Sequence, residues 1–140
     1  MNNGLLLYAT LGVGVFVILV LVVIRLLPRR LKQSYFVSKW KELQSFCRDS
    51  ENWPKALEEA DKLLNYALKK QHYKGKSMGE KMVSAQKIFT DNDALWKAHN
   101  LFKKLSDKNT TSRVKESIVK DALIGYRQAL RDIGALPKDE

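Results

Sequence analysis

The side chains that could carry chemistry are few, because the 140-residue chain has only two histidines, His72 and His99, and one cysteine, Cys47. A metal site takes three or four converging ligands, often as close pairs along the chain. No such pairing is present, so we expect no metal site. Cys47 lies on an apolar stripe, and we interpret it as a buried filler side chain instead of a nucleophile paired with His99.

Three carboxylates, Glu58, Glu59 and Asp61, lie close together in one predicted helix. Paired carboxylates can act as general acid and base when a pocket encloses them. The simplest interpretation of these three is a solvated helix face. The alternative for Asp61 is a pairing with a cation from a neighbouring helix. We therefore expect no catalytic residues, no cofactor and no enzymatic activity.

The elements that position these residues begin with an uncharged apolar run of 21 residues, from Gly4 to Ile24. At about 1.5 Å per residue, such a helix spans roughly 32 Å, which matches a hydrocarbon core of about 30 Å. A cleaved signal peptide is the rival interpretation. It is disfavoured because no Lys or Arg precedes the run, the run is long, and no small-residue cleavage site follows. We predict a retained transmembrane anchor over residues 1–27.

Cationic residues follow the apolar run, and no acidic residue occurs before Glu42. The positive-inside rule then places the N-terminus outside and the rest of the chain in the cytoplasm, as a single-pass protein of the plasma membrane. We assign residues 28–35 to a basic juxtamembrane linker. Contacts with anionic lipid headgroups are expected from four side chains: Arg25, Arg29, Arg30 and Lys32.

Beyond the linker, apolar residues recur at helical spacing, and no long stretch alternates with the period of a strand. Pro28 is the expected break after the anchor, and Pro54 suits the first turn of a later helix. We expect that helix to bury one apolar stripe: Leu57, Ala60, Leu64 and Ala67.

Local end signals delimit the remaining helices. Ser77 and Glu80 form a capping box for a helix that continues to Phe89, Asp91 or Asn92 caps the next helix, and Gly134 ends the last. The last helix is expected to face the core with six residues: Val114, Ile118, Ala122, Tyr126, Ala129 and Ile133. We predict an all-α fold, in which an N-terminal transmembrane helix precedes a four- to five-helix cytoplasmic bundle over residues 36–136 and a tail at 137–140.

Four stretches of the chain resemble a family of small, uncharacterised bacterial membrane proteins of the candidate-phylum type, which have one N-terminal anchor and a helical domain. These stretches span most of residues 40–136: Trp53–Leu64, Tyr73–Met82, Leu95–His99 and Tyr126–Leu136. The resemblance implies a shared bundle fold and brings no established activity.

Relatives in that family continue the Trp-x-Ala-His segment with Arg-Asn and a second histidine, which is similar to the motif of HEPN-type helical domains, some of which cut RNA. The matching positions here are Phe102, Lys103 and Asp107, so His99 alone is kept. Because the general-base histidine is missing, the resemblance implies at most RNA binding or a degenerate ribonuclease.

We therefore expect a membrane-anchored, non-catalytic interaction module. Its expected partners are the lipid bilayer and either another protein or a second copy of the chain. The net charge of +10 is compatible with a second hypothesis, HEPN-like RNA binding at the membrane by phosphate contacts and aromatic stacking. The residues of that hypothesis are Lys69, Lys70, Tyr73, Lys74, Lys76 and His99.

Overall fold

The structure is a computed structural model that describes residues 2–27, 29–108 and 113–138. Met1, Pro28, residues 109–112 and residues 139–140 lie outside the described residues, so the first residue of the predicted anchor, the predicted break at Pro28 and the end of the predicted tail are not described. Within the described ranges, all regular structure is helical, which confirms the all-α class. The α-helices are α1 (Asn2–Leu26), α2 (Gln33–Ser45), α3 (Trp53–Lys70), α4 (Met78–Ser84), α5 (Asn92–Ser106) and α6 (Glu116–Asp132).

The first helix stands apart from the others in composition and packing. None of the residues of α1 is buried, and Arg25 is its first charged residue. Its mean hydropathy reaches 2.8, and it is the one helix in the described part of the chain that is long and apolar enough to cross a membrane. Valine and isoleucine are mediocre helix formers in water, but in lipid a helix is the conformation that pairs every backbone group within one segment.

The remaining helices form a bundle around α3. Two short 3₁₀ turns, Phe46–Arg48 and Ser50–Asn52, connect α2 to α3. Helix α3 packs against α2, α5 and α6, and the predicted apolar stripe on α3 is fully buried, which confirms it. Leu63 and Leu68 of α3 are buried beside the stripe, and burial of each leucine side chain stabilises the fold by about 1.5–3 kcal/mol.

Helices α5 and α6 pack closely together at Gly125. A Cβ atom on Gly125 would lie 3.0 Å from the carbonyl oxygen of Ala94. The absence of a side chain at this position therefore lets the two helix backbones meet. Helix α5 begins where expected, because Oδ1 of Asp91 accepts the N–H of Ala94 at 2.9 Å. Helix α6 ends at Asp132, and Gly134, which follows its C-cap residue Ile133, has a φ of +81°.

Two predictions of helix length and face are wrong. Helix α4 ends at Ser84, not at Phe89, because Thr90 donates both its N–H and its hydroxyl to the Asp132 carboxylate at 2.8 Å and draws the chain toward the end of α6. Val114 lies before the start of α6 at Glu116, and on α6 Ile118 is 46% exposed whereas Val119 is 2% exposed. Helical periodicity permits either residue one turn before Ala122, and the packing against α3 and α5 selects Val119.

Candidate functional site

Three polar side chains meet in the core where α3, α5 and α6 pack together. Nδ1 of His99 lies 2.7 Å from Oδ1 of Asp61, and the hydroxyl of Tyr126 donates to the same oxygen at 2.8 Å. All three residues are buried. The prediction that Asp61 lies on a solvated face is therefore wrong, and the alternative of a partner on a neighbouring helix describes it better. A buried carboxylate is tolerated because it is hydrogen-bonded.

The hydrogen bonds of this buried cluster are made within the protein and link α3, α5 and α6. Desolvation, followed by the nearby Asp61 carboxylate, raises the pKa of Tyr126 above its ordinary value, so the hydroxyl stays protonated and donates. The ring of His99 lies between Trp96 and Phe102, at centroid distances of 6.1 and 6.5 Å. Because the side chains of Asp61 and His99 are each only 9% exposed, the cluster offers little surface to a substrate.

The other candidate chemical groups are ordinary surface features. Glu58 and Glu59 lie on a solvated face, as predicted, and form ion pairs with Lys55 and Lys62. The hydrogen bond from Lys62 lowers the pKa of Glu58. Cys47 lies in the 3₁₀ turn after α2 and is half-buried, not fully buried as predicted, and burial raises the pKa of its thiol. Among the described residues, no group of three or more His, Cys, Asp or Glu side chains could hold a metal ion.

The fold joins the linker to the α3–α4 loop, residues 71–77. Nε2 of Gln71 donates to the carbonyl oxygen of Arg29 at 3.0 Å, although the two residues are 42 positions apart. This contact places the end of α3 beside the chain that follows α1. As a result, the predicted lipid-contact residues and the lysines of the RNA-contact set lie at the same end of the bundle, which we call the basic end.

Part of the basic end is an open cleft of about 1230 Å³ between the end of α1 and the α3–α4 loop. We call it the basic cleft. Its principal lining residues are Arg25, Leu26, Lys69, Lys74, Lys76 and Lys81. The ammonium group of Lys81 donates to Oδ1 of Asn65 at 2.9 Å, which ties α4 to α3 beside the cleft. The cleft therefore unites one residue of the predicted lipid-contact set with three lysines of the predicted RNA-contact set.

A second, smaller groove of about 330 Å³ completes the basic end. It brings the other three predicted lipid-contact residues, Arg29, Arg30 and Lys32, together with Lys70. The Lys70 ammonium lies 5.3 Å from the ring centroid of Tyr66, a cation–π arrangement that orients it along the α3 surface. The groove thus continues the same positive surface along α3.

Two members of the predicted RNA-contact set, Tyr73 and His99, are not exposed side chains. Tyr73 is half-buried and packs against the core, with its N–H donating to the carbonyl of Leu68 at 3.1 Å. His99 belongs to the buried cluster and is apart from the basic end. The structure therefore brings together the lysines of that set, with Tyr73 half-buried in the wall of the basic cleft. The exposed His72, which is outside that set, also lines the cleft.

The loop that borders the basic cleft has a defined backbone. His72 has a φ of +62°, which is uncommon outside glycine, and Gly75 has a φ of +152° with no space for a Cβ atom, whose site is 2.7 Å from the backbone nitrogen of Lys81. The predicted cap is present, because Oγ of Ser77 accepts the N–H of Glu80 at 3.2 Å. The Glu80 carboxylate reaches back to the N–H of Lys76 at 2.6 Å, one residue earlier than a capping box requires.

One functional feature, the buried role of Asp61, was missed by sequence reasoning. Its signal is its position, since Asp61 lies four residues after Leu57 and three before Leu64 and so falls on the buried stripe of α3.

No family model, no curated protein and no solved structure matches the chain. What this protein does must therefore be inferred from its apolar first helix, its buried cluster and its basic end.

Proposed function

We propose that this protein is a single-pass protein of the plasma membrane whose bundle is a non-catalytic interaction module on the cytoplasmic side. The observation that carries the proposal is the distribution of charge around α1. This helix is uncharged up to Arg25, and its C-terminal end adjoins the basic end of the bundle. A bilayer has the same sequence of environments, with a hydrocarbon core followed by anionic headgroups on the cytoplasmic leaflet.

The positive charge at the basic end gives the chain its proposed orientation. Arg25, Arg29, Arg30 and Lys32 follow the apolar segment directly, whereas no charged side chain occurs before Arg25. Each Lys or Arg near an anionic surface contributes about 1 kcal/mol of attraction. In the proposed topology these four residues contact lipid headgroups, and the neighbouring lysines of α3 face the same surface.

The buried cluster supports a module without catalysis. Its hydrogen bonds are made within the protein, and they connect α3, α5 and α6. The partner of such a module is another protein or a second copy of the chain.

The alternative hypothesis of RNA binding or degenerate ribonuclease activity shares the lysines of the basic cleft. Tyr73 lines that cleft but is half-buried against the core, and His99 is buried with Asp61 away from the cleft. If this alternative holds, RNA binds the cleft at least as tightly as an anionic lipid headgroup does.

Extraction of membranes tests the proposed anchor. We expect the full chain to remain in the membrane pellet after washing with alkaline carbonate. A matched variant with Val15→Arg and Leu19→Arg should be released, because each arginine at the centre of a helix costs about 2.5–3.5 kcal/mol of insertion free energy. Release of the unaltered chain by carbonate would contradict the proposal.

A further inference from the structure

We propose that the basic cleft is a binding site for the phosphate headgroup of an anionic lipid, with a phosphomonoester headgroup preferred. This inference rests on the proposed function, since a bilayer around α1 is what places the cleft at the depth of the headgroups. It goes beyond general attraction to a charged surface, because it assigns the lipid to a shaped site.

The charge of the cleft suits a phosphate. Its lining includes five cationic side chains, which are Arg25, Lys69, Lys74, Lys76 and Lys81, and one carboxylate, Glu80. That carboxylate already accepts the backbone N–H of Lys76, so it helps to hold the loop. Lysine ammonium groups and arginine guanidinium groups are the cations that bind phosphate oxygens in proteins.

The backbone of the loop that carries Lys74 and Lys76 has a defined conformation. Gly75 separates Lys74 from Lys76, and its backbone lies so close to Glu80 and Lys81 that no other residue fits without a shift. The left-handed conformation of His72 turns the chain out of α3 just before these lysines. Backbone conformations of this kind cluster at binding sites, where a preorganised loop lowers the entropy lost when the ligand binds.

The position and size of the cleft favour a lipid over free phosphate. Leu26, the last residue of α1, forms part of the wall next to Arg25. A phosphate held by Arg25 and the loop lysines would therefore leave the acyl chains of its lipid beside the apolar surface of α1. The cleft volume of about 1230 Å³ has room for a phosphate with its glycerol group.

The number of cations favours a phosphomonoester. A phosphomonoester carries about −1.5 to −2 charges at neutral pH, and it has three oxygens that accept hydrogen bonds. A phosphodiester with a choline group carries no net charge and presents fewer free oxygens. Five cations around one cleft compensate the more highly charged group better.

A binding titration of the full chain in neutral detergent micelles tests this site. The probe is dioctanoyl phosphatidic acid, measured by isothermal titration calorimetry. Dioctanoyl phosphatidylcholine, inorganic phosphate and a single-stranded RNA oligonucleotide form the comparison arms. We expect phosphatidic acid to bind at least about tenfold more tightly than each of them, a difference of one decade in Kd. Equal or tighter binding of any comparison probe would overturn the lipid assignment.

Charge variants separate the cleft from the rest of the surface. The double variant Lys74→Gln/Lys76→Gln should weaken binding of phosphatidic acid by about thirtyfold, from the attraction that two cations contribute near an anionic group. The matched control Lys103→Gln/Lys104→Gln removes the same charge from exposed positions on α5 and should change Kd less than about twofold. Equal effects of the two double variants would contradict a defined site.

A loop variant tests shape without changing charge. Gly75→Ala keeps every cation but adds a Cβ atom where none fits, so it must displace the loop. We expect binding of phosphatidic acid to weaken by at least about fivefold, because the lysines leave their arrangement. Unchanged affinity in Gly75→Ala would show that the loop conformation has no part in binding, and would overturn the site.

The failure of this inference can be told apart from failure of the proposed function. Release of the full chain by carbonate would refute the anchor and, with it, the placement of the cleft at a membrane surface. If the chain resists carbonate but phosphatidic acid does not bind, or binds equally well to Lys74→Gln/Lys76→Gln, the lipid site alone is refuted.

Discussion

Tyr126 donates its hydroxyl to the Asp61 carboxylate at 2.8 Å, and this hydrogen bond joins α6 to α3 inside the core. Asp61 uses the same oxygen for His99 of α5, so one buried carboxylate connects three helices. This relationship explains why a charged residue lies on the apolar stripe of α3. It also makes the stability of the bundle sensitive to single atoms in the cluster.

Removal of the Tyr126 hydroxyl tests the cluster with the smallest change. Tyr126→Phe should lower the free energy of unfolding by about 1–2 kcal/mol, and Asp61→Ala should lower it by about 2–4 kcal/mol, because it leaves His99 and Tyr126 without their acceptor. Urea unfolding of the full chain in micelles, followed by tryptophan fluorescence, measures both. All three tryptophans lie after the linker, so the fluorescence signal reports unfolding of the bundle.

Glu58→Gln, a surface control, should lower the free energy of unfolding by less than about 0.5 kcal/mol. A loss in Asp61→Ala no larger than in this control would contradict the structural role.

The raised pKa of Tyr126 predicts a dependence of stability on alkaline pH. The folded state keeps the phenol protonated above the pH at which the unfolded chain releases its proton, which is about pH 10. The contribution of this group is therefore complete below about pH 10 and is lost as pH rises above it. Urea midpoints measured from pH 8 to pH 11 should fall more steeply for the unaltered chain than for Tyr126→Phe. Tyr66→Phe, at an exposed tyrosine, should retain the steep fall, and parallel curves for the unaltered chain and Tyr126→Phe would refute the assignment.

The contact between α5 and α6 predicts a cost for added volume at Gly125. Gly125→Ala places a Cβ atom 3.0 Å from the carbonyl oxygen of Ala94, so the helices must separate slightly. We expect a loss of about 1–3 kcal/mol in the free energy of unfolding. Ile124→Ala, at the exposed neighbouring position on the same helix, should cost less than about 0.5 kcal/mol. A neutral or stabilising effect of Gly125→Ala would mean that the helices are not in close contact.

The cap of α4 predicts a local effect next to the basic cleft. Ser77→Ala removes the oxygen that accepts the N–H of Glu80 and should cost about 1 kcal/mol. Amide hydrogen exchange at Glu80 should then become about fivefold faster, since a loss of about 1 kcal/mol makes local opening about fivefold more frequent. Ser84→Ala, at the other end of the same helix, should leave this rate unchanged. Equal rates in Ser77→Ala and the unaltered chain would contradict the cap.

Local rules account for much of the fold. The period of apolar residues predicts the buried face of α3, because a helix repeats every 3.6 residues whatever its neighbours are. The starts of α4 and α5 and the end of α6 follow from Ser77, Asp91 and Gly134, since each of these residues satisfies backbone groups within a few positions.

Features that depend on contacts between distant positions could not be predicted from the sequence. The length of α4 depends on the bond between Thr90 and Asp132, 42 positions apart, and the periodicity of α4 itself carries no trace of it. Arg29 and Gln71 are also 42 positions apart. The contact between them brings the predicted lipid-contact residues and the lysines of the RNA-contact set together at the basic end. The choice of Val119 over Ile118 also required the neighbouring helices, because both positions satisfy the helical period.

The side of the membrane on which the bundle lies can be measured directly with single cysteines. In a Cys47→Ser background, Asn3→Cys places a thiol before the apolar segment, and Lys138→Cys places one after the bundle. Intact cells are treated with a membrane-impermeant maleimide, and permeabilised cells serve as the control. We predict that Asn3→Cys is labelled in intact cells and that Lys138→Cys is labelled only after permeabilisation. Labelling of Lys138→Cys together with protection of Asn3→Cys in intact cells would contradict a bundle on the cytoplasmic side.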